Sequence, residues 1–484
     1  MAVMIALMAL SLFSLIGLYM AFNATTELRI SDNYESQAQA LAAAKAGLSH
    51  ARQLLVGRQY NDLLQGPDGT YTNTSAYLTQ GRTFSFRNPF GLDVARSLDI
   101  LNPSASLGGI ADDGIINTGK VAGVNGTPLI PQAGIAFTAT NPYGSGTITT
   151  ARYFVKVTDN NTEVSELAGD PLDNPFVDGD GIIIIRSMGI AQTIRETGGG
   201  AVRANSVAVV EAKFKNSRTF ALDSPVVVEG TSVAPAGSNM YSGNAFQVDG
   251  QSSNVGISTI DANLLDIQSP YADMYGGLSK SQTNNVKGLG GSPSMADITG
   301  VVMADTDKSK LVDSNYLYDF ATNVVPTFAD HVYTGPLKIT SSNAADYDLG
   351  YYDYTKPYND PTQRLVATIV KGDLEVGSSG VSGGGLLVVT GKLSGNGSLT
   401  YQGLILVIGT GSTDLAGVNV SIHGGIYTVN VTLNALGQPV FGQSKFSLGG
   451  NSDIIFDSSA INMGVSLIPS RQIGVREIRS SMDP

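Results

Sequence analysis

The first twenty-two positions, Met1 to Phe22 (MAVMIALMALSLFSLIGLYMAF), hold no charged residue, and the first charge is Glu27. A helix of that length rises ~33 Å, enough for a hydrocarbon layer of ~30 Å, so residues 1–22 are expected to be transmembrane. The competing reading is a cleaved signal peptide, which needs a basic stretch before its apolar core and a small-residue cleavage site after it. No Lys or Arg precedes this run, and helix-compatible sequence continues out of it. From Thr25 to Val56 there is no Pro and a single Gly, Gly47, while Ala38, Leu41, Ala42, Lys45, Leu48, Arg52 and Leu55 recur at steps of three and four. The spacing predicts one helix of ~80 Å ending near Gly57, apolar all round in its first half and amphipathic in its second. Leu41, Leu48 and Leu55 fall on one face of it, beside small alanines. A lone anchor has no use for the second half; a subunit handed from a membrane into a helical bundle does.

Beyond the helix the pattern turns to strands. Ala151–Thr158 (ARYFVKVT) alternates apolar and polar residues, and Gly181–Gly189 (GIIIIRSMG) and Ala201–Lys215 (AVRANSVAVVEAKFK) add two further β-rich runs. An antiparallel sheet packed on the exposed half of the helix is expected. After Ser217 short apolar groups alternate with Gly, Ser, Asn and Asp, and only Tyr316–Val325 reads as helix. Four apolar runs between residues 365 and 431 recur every seventeen to twenty-one residues and close on Gly or Asn. That spacing fits the coils of a β-solenoid, with a β-sandwich of short strands as the alternative. The fold class is therefore α+β: a long N-terminal helix (1–57), an α+β head (58–217) and a β-rich C-terminal appendage (218–484).

Composition narrows the function. Only 14% of the residues are charged, against ~25% in ordinary soluble domains. The net charge of −12 argues against nucleic acid as a partner, and the absence of Cys excludes disulfides, thiolate catalysis and zinc–thiolate sites. The three histidines, His50, His331 and His423, sit in no nucleophile or metal motif, and the Gly-rich runs lack the strand–loop–helix setting of a phosphate loop. No enzyme activity is expected.

Two loops carry candidate sites. Asp159, Asp173, Asp178 and Asp180, with Asn160, Asn161, Asp170 and Asn174, place oxygen donors beside Gly179 and Gly181. Such a set suits Ca²⁺; it suits Asx turns equally, and no other cofactor is implied. Tyr347, Tyr351, Tyr352 and Tyr354, laced with Asp346, Asp348 and Asp353, make a candidate ligand surface for a sugar or protein, or a loop that packs its rings onto the β domain.

The segment TTELRISDNYESQAQALAAAKAGL resembles the N-terminal motif of PilX-type minor pilins, within the type IV pilin and pseudopilin superfamily. Glu27, Arg29, Asn33, Gln39, Ala40, Leu41, Ala43, Ala44, Ala46, Gly47 and Leu48 carry the resemblance. Val157–Asn160, Asp178–Gly181, Arg186–Gly189, Val209–Ala212 and Gly385–Gly409 extend it, while Asp249–Thr362 has no counterpart. Two departures stand out: Ile5 occupies the place where most pilins carry a glutamate, and no basic leader ending in Gly precedes Met1, so Met1 reads as the processed terminus. The resemblance implies a minor or tip pilin, stored in the inner membrane and then assembled with other pilin subunits into a surface filament. Met1, Ile5, Glu27, Arg29, Asp32, Glu35, Leu41 and Leu48 would serve assembly, with Ala40, Ala42, Ala43, Ala44 and Ala46 permitting close helix approach. The appendage would meet a receptor or glycan. The alternatives are the repeated subunit of a thick decorated filament and a membrane-anchored solenoid enzyme acting on polysaccharide.

Overall fold

The computed structural model describes residues 2–60, 63, 100, 130, 134–140, 147–160, 178, 180–197, 200–263, 269–353, 355–356, 362–377, 380–417 and 419–478. They fall into two compact units. The first comprises Met1–Leu54, Tyr60–Lys215 and Gln472–Pro484, and the second Leu55–Gln59 and Asn216–Arg471. The second unit is thus an insertion between two strands of the first, where an uninterrupted 218–484 appendage is what the sequence suggests.

In the first unit α1 runs from Ala2 to Leu54, and the chain leaves it through Gly57, whose φ of +72° favours glycine. Strands β1 (Ile135–Thr140), β2 (Thr147–Asp159), β3 (Ile182–Thr197) and β4 (Gly200–Lys215) pair antiparallel in sequence order. The C-terminal strand Arg471–Ile478 adds itself beside β4 as the edge. These strands outrun the expected Ala151–Thr158, Gly181–Gly189 and Ala201–Lys215, because β3 and β4 continue as one long hairpin until Thr197 faces Gly200.

The helix meets the sheet through small residues. Ser36, Ala40, Ala43, Ala44, Gly47, Leu48 and Ala51 are buried, while Ala42 is exposed and Leu41 half-buried. The buried stripe is therefore mainly small residues, with Leu48 and Leu55 of the expected leucine face also buried and Leu41 at its margin. The reason lies in the distance: a Cβ on Gly189 would sit 1.9 Å from the Ala40 carbonyl oxygen and 2.5 Å from the Ala44 nitrogen. One on Gly47 would sit 2.3 Å from Ser187 Oγ and 2.6 Å from the Tyr153 ring. At Gly189 the strand lies nearly on the helix backbone, and no larger side chain fits there. The Ser36 and Ser206 hydroxyls, 2.7 Å apart, tie the helix to β4.

On the opposite face Phe154, Met188, Ile190 and Val209 cluster with Ile100, and Ile478 packs against them. Beside them Arg186 and Glu211 are buried and paired at 2.6 Å, and Arg476 of the C-terminal strand reaches the other Glu211 oxygen at 2.8 Å. Burial alone would raise the Glu211 carboxyl; the Arg186 charge and the Arg476 bond outweigh it and hold the carboxyl below its usual range.

The second unit is a stack of coils. Its strands are β5 (Val226–Gly230), β6 (Ile257–Asp261), β7 (Met295–Asp297), β8 (His331–Thr334), β9 (Val366–Lys371), β10 (Val381–Val389), β11 (Ser398–Gly409) and β12 (Asn419–Leu433). They lie side by side in the order β7, β6, β5, β12, β11, β10, β9, β8, all parallel. The chain enters mid-stack at β5 and builds outward to β7. It then passes to the far end through the helical stretch 299–328 and winds back until β12 lies beside β5. Each returning coil also places a short strand in a second parallel sheet, Leu374–Val376 beside Leu393 and its followers, and Lys392–Ser394 beside Ser412–Asp414. Parallel, in-register coils are not the antiparallel pairing of a sandwich.

The long sheet is buried on both faces, which is why its strands read as unbroken apolar runs. Val226, Val228, Ile405, Val407 and Phe446 fill the coil interior. Phe220, Val227, Phe320, Leu404 and Tyr427 face an outer layer of helices. Gly385, Gly403 and Gly424 stack on one another at φ +114°, +137° and +138°. A Cβ on Gly424 would stand 1.9 Å from the Gly403 oxygen, so these three successive coils need a glycine at this bend. Ser458–Ser466, capped by Asp457, is a helix that the Gly- and Ser-rich sequence hides, as are Pro270–Gly276 and Thr299–Ala304. The expected helix Tyr316–Val325 is broken into Ser314–Asp319, a π turn at Phe320–Val324 and Val325–Phe328.

One carboxyl lies inside this outer core. Glu229 is fully buried on β5, its Oε2 accepts the Tyr427 hydroxyl, and its Oε1 has no hydrogen-bond partner. Burial pushes the Glu229 carboxyl well above its usual range, against the smaller opposing pull of the Tyr427 bond.

Two outcomes follow from this packing. Gly189→Val is expected to cost at least ~1–3 kcal/mol, seen in urea unfolding and as lost amide protection along α1 and β3; unchanged protection would refute the backbone contact. For Glu229 the folded state binds its proton more tightly than the unfolded chain, so its contribution to stability falls as pH rises above the ordinary carboxylate range. Glu229→Gln keeps an acceptor for Tyr427 and should flatten that fall in thermal midpoint. An unchanged pH profile would show that Glu229 is not the group responsible.

Candidate functional site

The expected assembly residues all lie on α1, and the helix treats its two halves differently. Large apolar side chains described from Met4 to Phe22 are 43–72% exposed, from Ile16 at the low end to Leu10 and Phe13 at the high end. Leu28, Ile30 and Tyr34 are also exposed. Glu27, Arg29 and Glu35 are exposed and Asp32 half-buried, forming a charged band between the bare apolar half and the half packed on the sheet. Glu35 Oε1 accepts the Gln39 side-chain amide at 3.2 Å. Thr25 and Thr26 turn their hydroxyls back onto the Phe22 carbonyl at 2.9 and 2.8 Å, so these polar groups are satisfied within the helix. Leu48 is buried and Leu41 half-buried. Ala40, Ala43 and Ala44 are spent on this chain's own sheet, so of the small residues expected to receive a neighbouring helix only Ala42 is exposed, with Ala46 half-buried. Met1 and the Ile5 side chain lie outside the described residues. Among the described residues no helix is long and apolar enough to cross a membrane, so the expected transmembrane span 1–22 is not supported there.

At the β2–β3 junction Asp159, Asp178 and Asp180 come together, with ligand oxygens within 4.8 Å of one another; Asp173 lies outside the described residues. Asp178 Oδ1 and both Asp180 oxygens are already engaged. Asp178 Oδ1 accepts the backbone N–H groups of Gly181 and Ile182 at 2.7 and 3.1 Å. Asp180 Oδ1 accepts the Ile182 N–H at 2.8 Å, and Asn160 Nδ2 donates to both Asp180 oxygens at 2.9 Å. These are Asx turns that start β3, built from donors a hard cation also takes.

The tyrosine-rich segment is strapped across the coil stack. The Leu349 carbonyl accepts the Gly384 N–H at 2.8 Å, and Cβ atoms on Gly383 and Gly384 would meet the Tyr401 ring and Tyr352, at 2.7 and 2.8 Å. That close crossing explains the glycine triplet 383–385. Tyr347 meets Tyr333 edge to face at 5.2 Å, and both pack on the coil interior. Asp348 holds the end of β8, receiving His331 Nε2 at 3.3 Å and Arg364 Nη1 at 2.7 Å. Tyr352 is half-buried, and burial raises its phenol, assisted by Asp457 and Asp353. Of the four expected surface rings only Tyr351, 41% exposed, faces solvent; Tyr354 lies outside the described residues. His423 lies within β12, beside Gln402.

The buried groups Arg186, Glu211 and Glu229 escape the sequence reading. The available signal was a single charge set in an apolar run, as in IIIIRSMG, AVVEAKF and VVVEG.

No family model matches the chain, and no curated protein matches it. Among solved structures, the competence-associated pilin ComZ from Thermus thermophilus is similar at 11% identity, over 92% of this chain and 97% of that one, with a TM-score of 0.20. That score carries no argument. The long helix on an antiparallel sheet stands on its own geometry.

Asp178→Ala is expected to destabilise the head by ~1–3 kcal/mol, since the buried Gly181 N–H loses its acceptor while the Ile182 N–H keeps Asp180. Asp178→Asn, which keeps an oxygen there, should retain most of that stability. A thermal midpoint raised by millimolar calcium in the wild type and not in Asp178→Asn would add a bound cation to the turn.

Proposed function

We propose that this chain is a structural subunit of a type IV pilus-like surface filament, a minor or tip pilin whose second unit is a β-solenoid appendage used in adhesion or priming of assembly. The observation that carries the proposal is the division of α1. Its second half is satisfied by the chain's own sheet. Its first half is a rod ~28 Å long from Met4 to Phe22 whose large apolar side chains are 43–72% exposed among the described residues. Bare apolar surface of that extent is unstable in water and marks a surface that something else covers. Neighbouring subunit helices in a filament core would cover it all round, and the inner membrane would do so before assembly. The charged band Glu27–Glu35 would then set register between neighbours. The N-terminal motif, read in the sequence as PilX-type, points the same way.

Mass spectrometry of sheared, washed surface filaments tests the proposal. The protein is expected at a low ratio to the major subunit, with an N-methylated terminus at Met1. Dominance in the filaments would make it the repeated subunit of a thick filament. Confinement to the membrane fraction with an unprocessed terminus would end the pilin reading.

A further inference from the structure

The C-terminal strand Arg471–Ile478 is the edge of the first unit's sheet, paired with β4 on one side and with no strand on the other among the described residues. Seven of its eight residues are exposed, including Ile473 at 45% and Val475 at 60%. Natural sheets blunt such edges with short strands, prolines or inward charges, because a long, flat edge with apolar side chains recruits another strand. This edge has eight residues, no proline, and two β-branched apolar side chains in the open.

Alternation gives the strand two faces. Arg476 and Ile478 point to the side of Glu211 and the Met188 cluster, so Gln472 and Gly474 share that face. Arg471, Ile473, Val475 and Glu477 line the other.

The order of residues on that second face is self-complementary. Set antiparallel to a second copy about Gly474, the strand brings Arg471 opposite Glu477 of the second copy and Ile473 opposite Val475. Two-fold symmetry repeats both pairs. On the other face Gln472 stands opposite Arg476, and Gly474 opposite Gly474. Opposite charges and β-branched apolar pairs are the cross-strand combinations that stabilise antiparallel ladders, and a two-fold interface requires such a palindrome. A shift of one residue places Arg471 opposite Ile478 and Ile473 opposite Arg476, which loses both kinds of pair.

We propose that this edge pairs with the same edge of a second copy of the chain, joining two five-stranded sheets into one through a two-fold antiparallel contact centred on Gly474. The proposal stands independently of the filament reading, since it rests on the edge strand alone.

The chain has no cysteine, and a Cβ on Gly474 would meet nothing within 4 Å, so Gly474→Cys is a clean probe. Directly opposed residues of an antiparallel pair have Cα atoms ~4.5–5.5 Å apart, within disulfide range. The control is Gln472→Cys, whose symmetry mate would lie four residues along, ~13 Å away. The full-length protein in mild detergent, mildly oxidised, is expected to run mainly at twice its mass for Gly474→Cys and as monomer for Gln472→Cys. Adding Val475→Lys to Gly474→Cys should lower the dimer fraction several-fold without changing the circular dichroism spectrum. A folded Gly474→Cys protein that stays monomeric overturns the proposal. Equal cross-linking of Gln472→Cys also overturns it, because collision through α1 would then explain the dimer.

Discussion

Everything in the first unit depends on how closely α1 lies on β3. A helix carrying leucines packs ~10 Å from a sheet and is held by side-chain area; here Gly189 removes its Cβ so that the Ala40 carbonyl can take its place, and Gly47 does the same opposite Tyr153. The contact gives up interdigitated volume for many short backbone contacts, each worth little and effective together. It also explains the composition of the buried stripe. Alanine, glycine and serine occupy the narrowest part of the gap, while Leu48 and Leu55 are buried further along the chain and Leu41 lies at the margin.

The second unit answers the opposite problem, since its long sheet must be covered on two faces. The inner face is closed by the second parallel sheet, and the outer face by the helical stretch 299–328 and the helix Ser458–Ser466. The chain order makes this economical: the helical stretch 299–328 that covers part of the outer face is also the connection between the two ends of the stack. Glu229 sits within this outer core and Glu211 on the first unit's sheet, and their surroundings drive them apart. Glu211 is flanked by two guanidinium groups that hold its carboxyl below the usual range, whereas Glu229 has only a phenol and its carboxyl is pushed well above it. Burial is common to both; the charge of the partner decides the sign.

Much of this was legible in the sequence. The helix announced itself by the absence of Pro and the three- and four-residue recurrence, and β2, β3 and β4 by alternating or unbroken apolar runs. The coil period was visible because Val366, Gly385, Gly403 and Gly424 must stand beside one another, which spaces the runs by nearly one coil each. What escaped was whatever depends on long-range partners. The stack is interrupted in sequence, so nothing local told that β12 lies beside β5. Ser458–Ser466 looks like loop by composition, since its glycine serves close approach to Leu404 and not flexibility. The return of Arg471–Ile478 to the first unit is signalled by alternation alone, too brief to place. Of the candidate sites, the three described aspartates do converge, as sequence proximity across a hairpin allows. The tyrosines do not form one surface, because the strap that carries them turns Tyr347 inward and leaves Tyr351 outside.

The two halves of α1 also constrain each other. If the second half were loosely held, the whole helix would be free to collapse its apolar half onto the nearest apolar surface, as exposed hydrophobic segments do. The glycine-mediated clamp prevents this by fixing the helix axis along the sheet over the stretch from Ser36 to Ala51. The hydroxyls of Thr25 and Thr26, returned to the Phe22 carbonyl, keep the helix continuous across the junction without offering polar groups to whatever surrounds it. A rigid clamp on one half is thus the condition for presenting the other half extended, and the charged band between them marks where the packing of α1 on the chain's own sheet ends.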